Sequence, residues 1–138
     1  MADTFDPKFG AVVAFPFGVS NATWSASNVD LTTPSSAKYV VMPANGSVIG
    51  LGVVSSEDIS AGVATFKVHK FSTEYAGSSP APVLNTTNAT ASYGSVRPGA
   101  ITFSAGDTLG VSYTSDATFA PTNSADITAV LYVVLSPL

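Results

Sequence analysis

His69 is the one imidazole of the chain, and general acid or base work would fall to it first. It lies between Lys67 and Lys70 on the polar side of an alternating stretch, where two ammonium groups oppose the imidazolium that a general base must become. A hydrolase has to bring a nucleophile, a base and an orienting group within hydrogen-bond reach, and the sequence holds no Gly-x-Ser-x-Gly elbow to supply the first. Glycoside cleavage needs two carboxylates set across a bond. Glu57 and Asp58 are adjacent in a turn and point apart. Gly50-Leu51-Gly52 opens like a dinucleotide fingerprint, but it falls inside an apolar strand and no helix follows. Asp107, Asp116 and Asp126 occupy turns without the acidic ladder of a calcium loop, and turn capping accounts for them. With no cysteine, thiolate chemistry and disulfides drop out together. The residues therefore predict no catalytic site, no cofactor and no metal.

The elements behind these residues are strands. From Lys38 onward, apolar runs recur at short intervals with turn residues between them. Lys38 to Met42 leads through Pro43-Ala44-Asn45-Gly46, a hairpin signal, into a strand over 47–54. There Ile49, Leu51 and Val53 are set against Val48, Gly50, Gly52 and Val54. Two glycines on one face predict a close approach or a bulge. Strands follow over 63–71 and 108–114, with shorter ones near 91–96 and 100–103. Residues 72–98 otherwise read as a long Pro-, Ser-, Thr- and Asn-rich loop. No helix is signalled, and regularly spaced short strands predict an antiparallel sandwich or barrel.

The two ends of the chain stand out. Phe5, Phe9, Phe15 and Phe17 fall within 17 residues, broken by Pro7 and Pro16. This stretch reads as an extended arm, with a first strand tucked into the core as the alternative. A polar, irregular lead-in follows, in which Trp24 and Leu31 are the exceptions. At the other end, residues 126–135 are apolar on both faces of a strand. Ile127, Ala129, Leu131, Val133 and Leu135 make one face, and Val130, Tyr132 and Val134 the other, where an ordinary sandwich strand would be polar. The first face can be a core. The second needs another cover, for which a second copy of the chain is the natural candidate.

Composition agrees with association. Charged residues are only 10% of the 138, against about 25% in ordinary domains, so part of the exterior is expected to be interface. A chain of this size supports one core. The formal charge of −4 and the absence of any basic run argue against nucleic acid, and no apolar run reaches the ~20 residues of a membrane span. Residues 10–19 only faintly imitate a signal peptide, so the start reads as mature protein.

Four segments carry a resemblance: Tyr39-Val-Val-Met-Pro-Ala-Asn-Gly-Ser-Val-Ile-Gly-Leu51, Ala61-Gly-Val-Ala-Thr-Phe-Lys-Val68, Phe103-Ser-Ala-Gly-Asp-Thr-Leu-Gly-Val111 and the apolar terminal strand. Together, over about residues 38 to 135, they resemble the small tumour-necrosis-factor-like jelly rolls of phage virion proteins and spore-surface proteins. That resemblance implies an all-β, antiparallel jelly-roll β-sandwich of about eight strands, which trimerises through one sheet with the terminal strand central in it.

The expected organisation is thus an N-terminal extended arm and lead-in over 1–33 and a jelly roll over 34–138. The expected function is that of a non-enzymatic virion structural protein: a homotrimeric capsid decoration or cement protein on the capsid surface of a bacteriophage, binding its major capsid protein. In that reading Val130, Tyr132 and Val134 form the trimer interface, and Phe5, Phe9, Phe15 and Phe17 contact the capsid. The alternative is the receptor-binding tip of a head or tail fibre.

Overall fold

The computed structural model describes residues 10–70, 73–74 and 80–136; Phe5 and Phe9 lie outside them. Every regular element among the described residues is a strand. In order these are β1 (Ala11–Val19), β2 (Val29–Asp30), β3 (Val40–Val41), β4 (Gly46–Ser55), β5 (Ala64–Lys70), β6 (Thr73–Glu74), β7 (Val83–Leu84), β8 (Ala91–Ser95), β9 (Thr102–Phe103), β10 (Thr108–Ser115) and β11 (Ile127–Leu135).

Two antiparallel sheets result. The first, sheet A, has the order β1-β11-β4-β8, with β9 continuing beside β4. The second, sheet B, has the order β2-β10-β5-β6, with β3 also beside β10 and β7 also beside β5. Three pairs of short strands share a neighbour, so the described strands fill eight positions, in keeping with the expected sandwich of about eight strands. The pairings are nested: first strand with last, second and third with the tenth, fourth with eighth and ninth, fifth with sixth and seventh. A chain folded in half and then rolled gives that nesting, which is the jelly roll.

The core lies between the sheets. Alternation supplies it, because inward positions on paired strands are apolar: Val53, Leu51 and Val48 on β4, Phe66 and Val68 on β5, Leu109, Val111 and Tyr113 on β10, and Ile127, Leu131 and Val133 on β11 are all buried. Each fully buried side chain of this size contributes about 1.5–3 kcal/mol relative to its exposed state.

Three expectations are corrected. The first concerns the arm. From Ala11 the chain is β1, paired with β11 along all nine of its residues, and Phe17 is 1% exposed in the core with Phe15 packed against that core. Because β2 also belongs to a sheet, a division at residue 33 does not separate an arm from the sandwich. The local pattern is ambiguous because Pro16 suits an edge strand as well as an arm, and β1 is the edge of sheet A.

The second concerns Asn45-Gly46, which makes no hairpin. The strands on either side, β3 and β4, belong to different sheets. The Asn45 side chain instead accepts the Ala105 N–H at 2.8 Å, and a Cβ on Gly46 would sit 2.2 Å from the Val134 carbonyl oxygen. Glycine is there for the approach of another strand, not for a turn.

The third concerns β4, whose face pattern slips at Ile49. Tyr132 pairs with Gly50 and Val133 with Val48, so Ile49 is an extra residue in the ladder. The bulge turns Val48 into the core and leaves Ile49 half-buried.

Candidate interaction surface

The outward face of sheet A is built row by row from the register. Val12 lies beside Val134, Ala14 beside Tyr132, and Pro16 beside Val130. Across the next ladder Tyr132 meets Gly50 and Val130 meets Gly52, and beyond them Gly52 meets Tyr93 and Val54 meets Ala91. Strand positions on this face hold no Asp, Glu, Lys, Arg or His. The rows span about 15 Å across four strands and about 20 Å along them. Val12 is 65%, Val54 56% and Tyr93 60% exposed, in a sandwich whose inner face is dry.

Val130, Tyr132 and Val134 all lie on this face, each half-buried, on the strand between β1 and β4. The two glycines opposite them make room for Tyr93. Its ring lies across both: a Cβ on Gly50 would meet the Tyr93 hydroxyl oxygen at 2.1 Å, and one on Gly52 would meet its Cδ1 at 3.5 Å. Tyr93 also meets Tyr132 edge-on, with ring centroids 6.2 Å apart. Beside the ring pair is a shallow apolar depression of about 600 Å³, floored by Gly52 and walled by Val54, Tyr93, Val130 and Tyr132. The sequence pointed to Val130, Tyr132 and Val134. It missed Tyr93, Val54 and Val12, whose only signal is position beside β11 or, for Tyr93, beside β4, in a register that spacing alone does not fix.

The four phenylalanines do not form one set. Phe17 has no surface to offer a partner and Phe15 little, which removes Phe17 from the contact group and makes the pair the anchor of β1.

His69 is 6% exposed, not at the surface where its polar neighbours placed it. Its Nε2 faces Asp30 Oδ1 at 3.4 Å, and the Tyr39 ring stands edge-on to it at 5.9 Å. Asp30 also faces the Lys38 ammonium at 3.6 Å. The segment carrying Lys38 and Tyr39 crosses the outside of sheet B, over Gly110, where a Cβ would come within 2.8 Å of both the Lys38 carbonyl oxygen and the Tyr39 ring. His69 is thus part of a packed polar layer.

The carboxylates of the turns hold backbone. Asp107 accepts the Ser104 N–H at 2.8 Å and pairs with Lys70 at 3.2 Å. The Ser104 hydrogen bond, seconded by Lys70, holds its carboxyl below the usual carboxylate range. Asp116 accepts the Val63 and Thr118 N–H groups, and Asp126 the Asn21 N–H. Among the described residues, no three potential metal ligands come together.

No protein-family description matches the sequence, and no curated protein does. Among solved structures the chain is similar to one from the cyanophage Pam1 capsid asymmetric unit, with a TM-score of 0.53 and 13% sequence identity over 98% of this chain and 92% of that one. At that identity the likeness is one of fold, over essentially the whole of both chains.

Proposed function

We propose that this protein is a non-enzymatic structural component of a phage virion, a homotrimer that decorates or cements the capsid surface. The observation that carries the reading is the uncharged outer face of sheet A, centred on Val130, Tyr132 and Val134, which the described residues leave open to water. Three copies meeting there would bury it at roughly 25 cal/mol per Å², less the cost of association. Whole-length likeness in fold to a cyanophage capsid chain supports the virion setting. The capsid contact falls to Phe5 and Phe9, with Phe15 and Phe17 fixing the strand that follows them in sequence; the partner in this reading is the major capsid protein.

The test separates attachment from folding at the place the structure indicates. Removing residues 2–9 spares β1, whereas removing 2–17 takes away Phe17 and most of the β1 ladder. The shorter truncation should remain a folded trimer by light scattering and lose capsid binding in a co-sedimentation assay. The longer one should fail to fold. Full capsid occupancy by the shorter truncation would move the contact to another surface. Wild-type protein monomeric at micromolar concentration would remove the basis for the trimer.

A further inference from the structure

The loop between β1 and β2 holds the single tryptophan of the chain in water. Trp24 is 53% exposed, between the buried Ala22 and Ala26. Three non-glycine residues of the loop adopt left-handed backbone: Asn21 at φ 55°, Ser25 at 50° and Asn28 at 48°. L-residues rarely do so, and such conformations persist only where the surroundings impose them.

The surroundings here are β10 and its exit. The Asn21 N–H donates to Asp126 Oδ1 at 3.0 Å, and the Ala22 and Ser25 N–H groups donate to the Ala125 and Asp116 carbonyls, both at 2.9 Å. The Thr23 N–H reaches the Tyr113 hydroxyl at 3.2 Å, the Ala26 N–H Ser115 Oγ at 3.0 Å, and the Asn28 N–H Thr114 Oγ1 at 3.1 Å. A loop so clamped has its ring position set before any ligand arrives, which removes the ordering cost of binding.

From this we infer that Trp24 is a stacking platform for a sugar ring of a neutral oligosaccharide. Residues 20–28 are Ser, Asn, Ala, Thr, Trp, Ser, Ala, Ser and Asn, so one flat apolar face is rimmed by hydroxyl and amide groups without charge. A pyranose presents the complement, a C–H face edged with hydroxyls. Glu57, Asp58, Asp116 and Asp126 on the neighbouring connections disfavour a polyanion. An apolar protein or lipid partner would need a broader patch, and beside this loop the other large apolar side chains exposed are Val29, at the start of β2, and Val63 on a neighbouring connection, each little more than one-third exposed. The inference does not rest on the virion reading. The site lies where β1 ends and β11 begins, a strand's length of about 30 Å from Gly10 and Ser136.

As the sole tryptophan, Trp24 reports its own occupancy. The full chain is titrated with gluco-, manno-, galacto- and N-acetylglucosamine tetrasaccharides while its emission is followed. At least one should give a saturable blue shift, with affinity by calorimetry falling about threefold to tenfold in Trp24→Ala and less in Trp24→Tyr. The melting temperature of Trp24→Ala should be unchanged, since its ring contributes little to the core. No saturable shift from any sugar up to about 10 mM, or undiminished binding by Trp24→Ala, overturns the inference. So does a shift produced by purified capsids and by no sugar, which would assign the ring to a protein contact.

Discussion

The two outward faces of this sandwich are covered in opposite ways. Outside sheet B the strands carry Asp30, Thr65, Lys67, His69, Ser112 and Thr114, a polar set that water would serve well. Yet Ser112 is 3% and His69 6% exposed, and the chain lays its own Lys38–Tyr39 segment over Gly110, with the Tyr39 ring against His69. Outside sheet A the strands carry Val12, Ala14, Pro16, Val54, Tyr93, Val130, Tyr132 and Val134, with Ser95, Thr102 and Thr128 as polar members, and no described segment crosses the apolar set. A polar face is partly roofed from within, and an apolar one is left bare by the described residues. Composition alone would have assigned the roof to the other sheet, and an apolar face that the described residues leave bare is one that a partner surface would suit.

The largest effect should come from charging the bare face. Val130→Asp with Val134→Asp is expected to abolish self-association, seen as a drop to monomer mass in light scattering, since two carboxylates would have to be buried at the contact. Thr65→Asp with Thr114→Asp on sheet B should leave the mass unchanged. Loss of the oligomer from both pairs would erase the distinction between the faces.

Next in size is the roof of sheet B. Gly110→Ala forces the Lys38 backbone to move and should cost about 1–3 kcal/mol, read as a lower urea midpoint. Gly50→Ala meets only the far end of the Tyr93 side chain, which can swing aside. Its stability should therefore change less, while the oligomer weakens on dilution because Tyr93 has left the face. Equal destabilisation by the two would mean that Tyr93 is as fixed as a backbone roof.

The smallest effect concerns protons. Asp107, in the turn that leads into β10 and beside Lys70, has its folded pKa below the unfolded value. Its contribution is therefore present above the ordinary carboxylate range and is lost as pH falls through the depressed value. Acidification from pH 7 to 5.5 should leave it intact, and Asp107→Asn should narrow the stability gap between pH 7 and pH 3. The strand positions outside sheet A carry no carboxylate or imidazole, so oligomer mass should stay constant over pH 7 to 5.5 and on adding chelator. A chelator-dependent fall in melting temperature would reveal a cation held by the turn carboxylates.

What the sequence made legible was whatever depends on one strand at a time. Alternation along β5 and β10 was plain, and the second apolar face of β11 stood out because an unpaired polar face should have been there. The glycines on β4 announced a close approach, although not that Tyr93 would make it. What was illegible depends on which strand lies next to which. Asn45-Gly46 has the local chemistry of a hairpin, but the chain crosses there between sheets, and only the nested pairing decides it. The bulge at Ile49 exchanges inward and outward residues through a single unpaired position, which periodicity cannot foresee. β1 looked like an arm because its partner is at the far end of the sequence.

That last pairing also sets a timetable. Among the described residues β1 has its only ladder with β11, so Phe15 and Phe17 emerge from the ribosome with no strand to join until almost the whole chain is made. The intervening stretch of about a hundred residues takes roughly 5–20 s to translate, and closing so long a loop is itself slow. For that interval the nascent protein presents an unpaired apolar strand near its start. Expression should accordingly be limited by what happens to that strand before the last one arrives, and a holding chaperone or a lower growth temperature should raise soluble yield more than any substitution in the finished core.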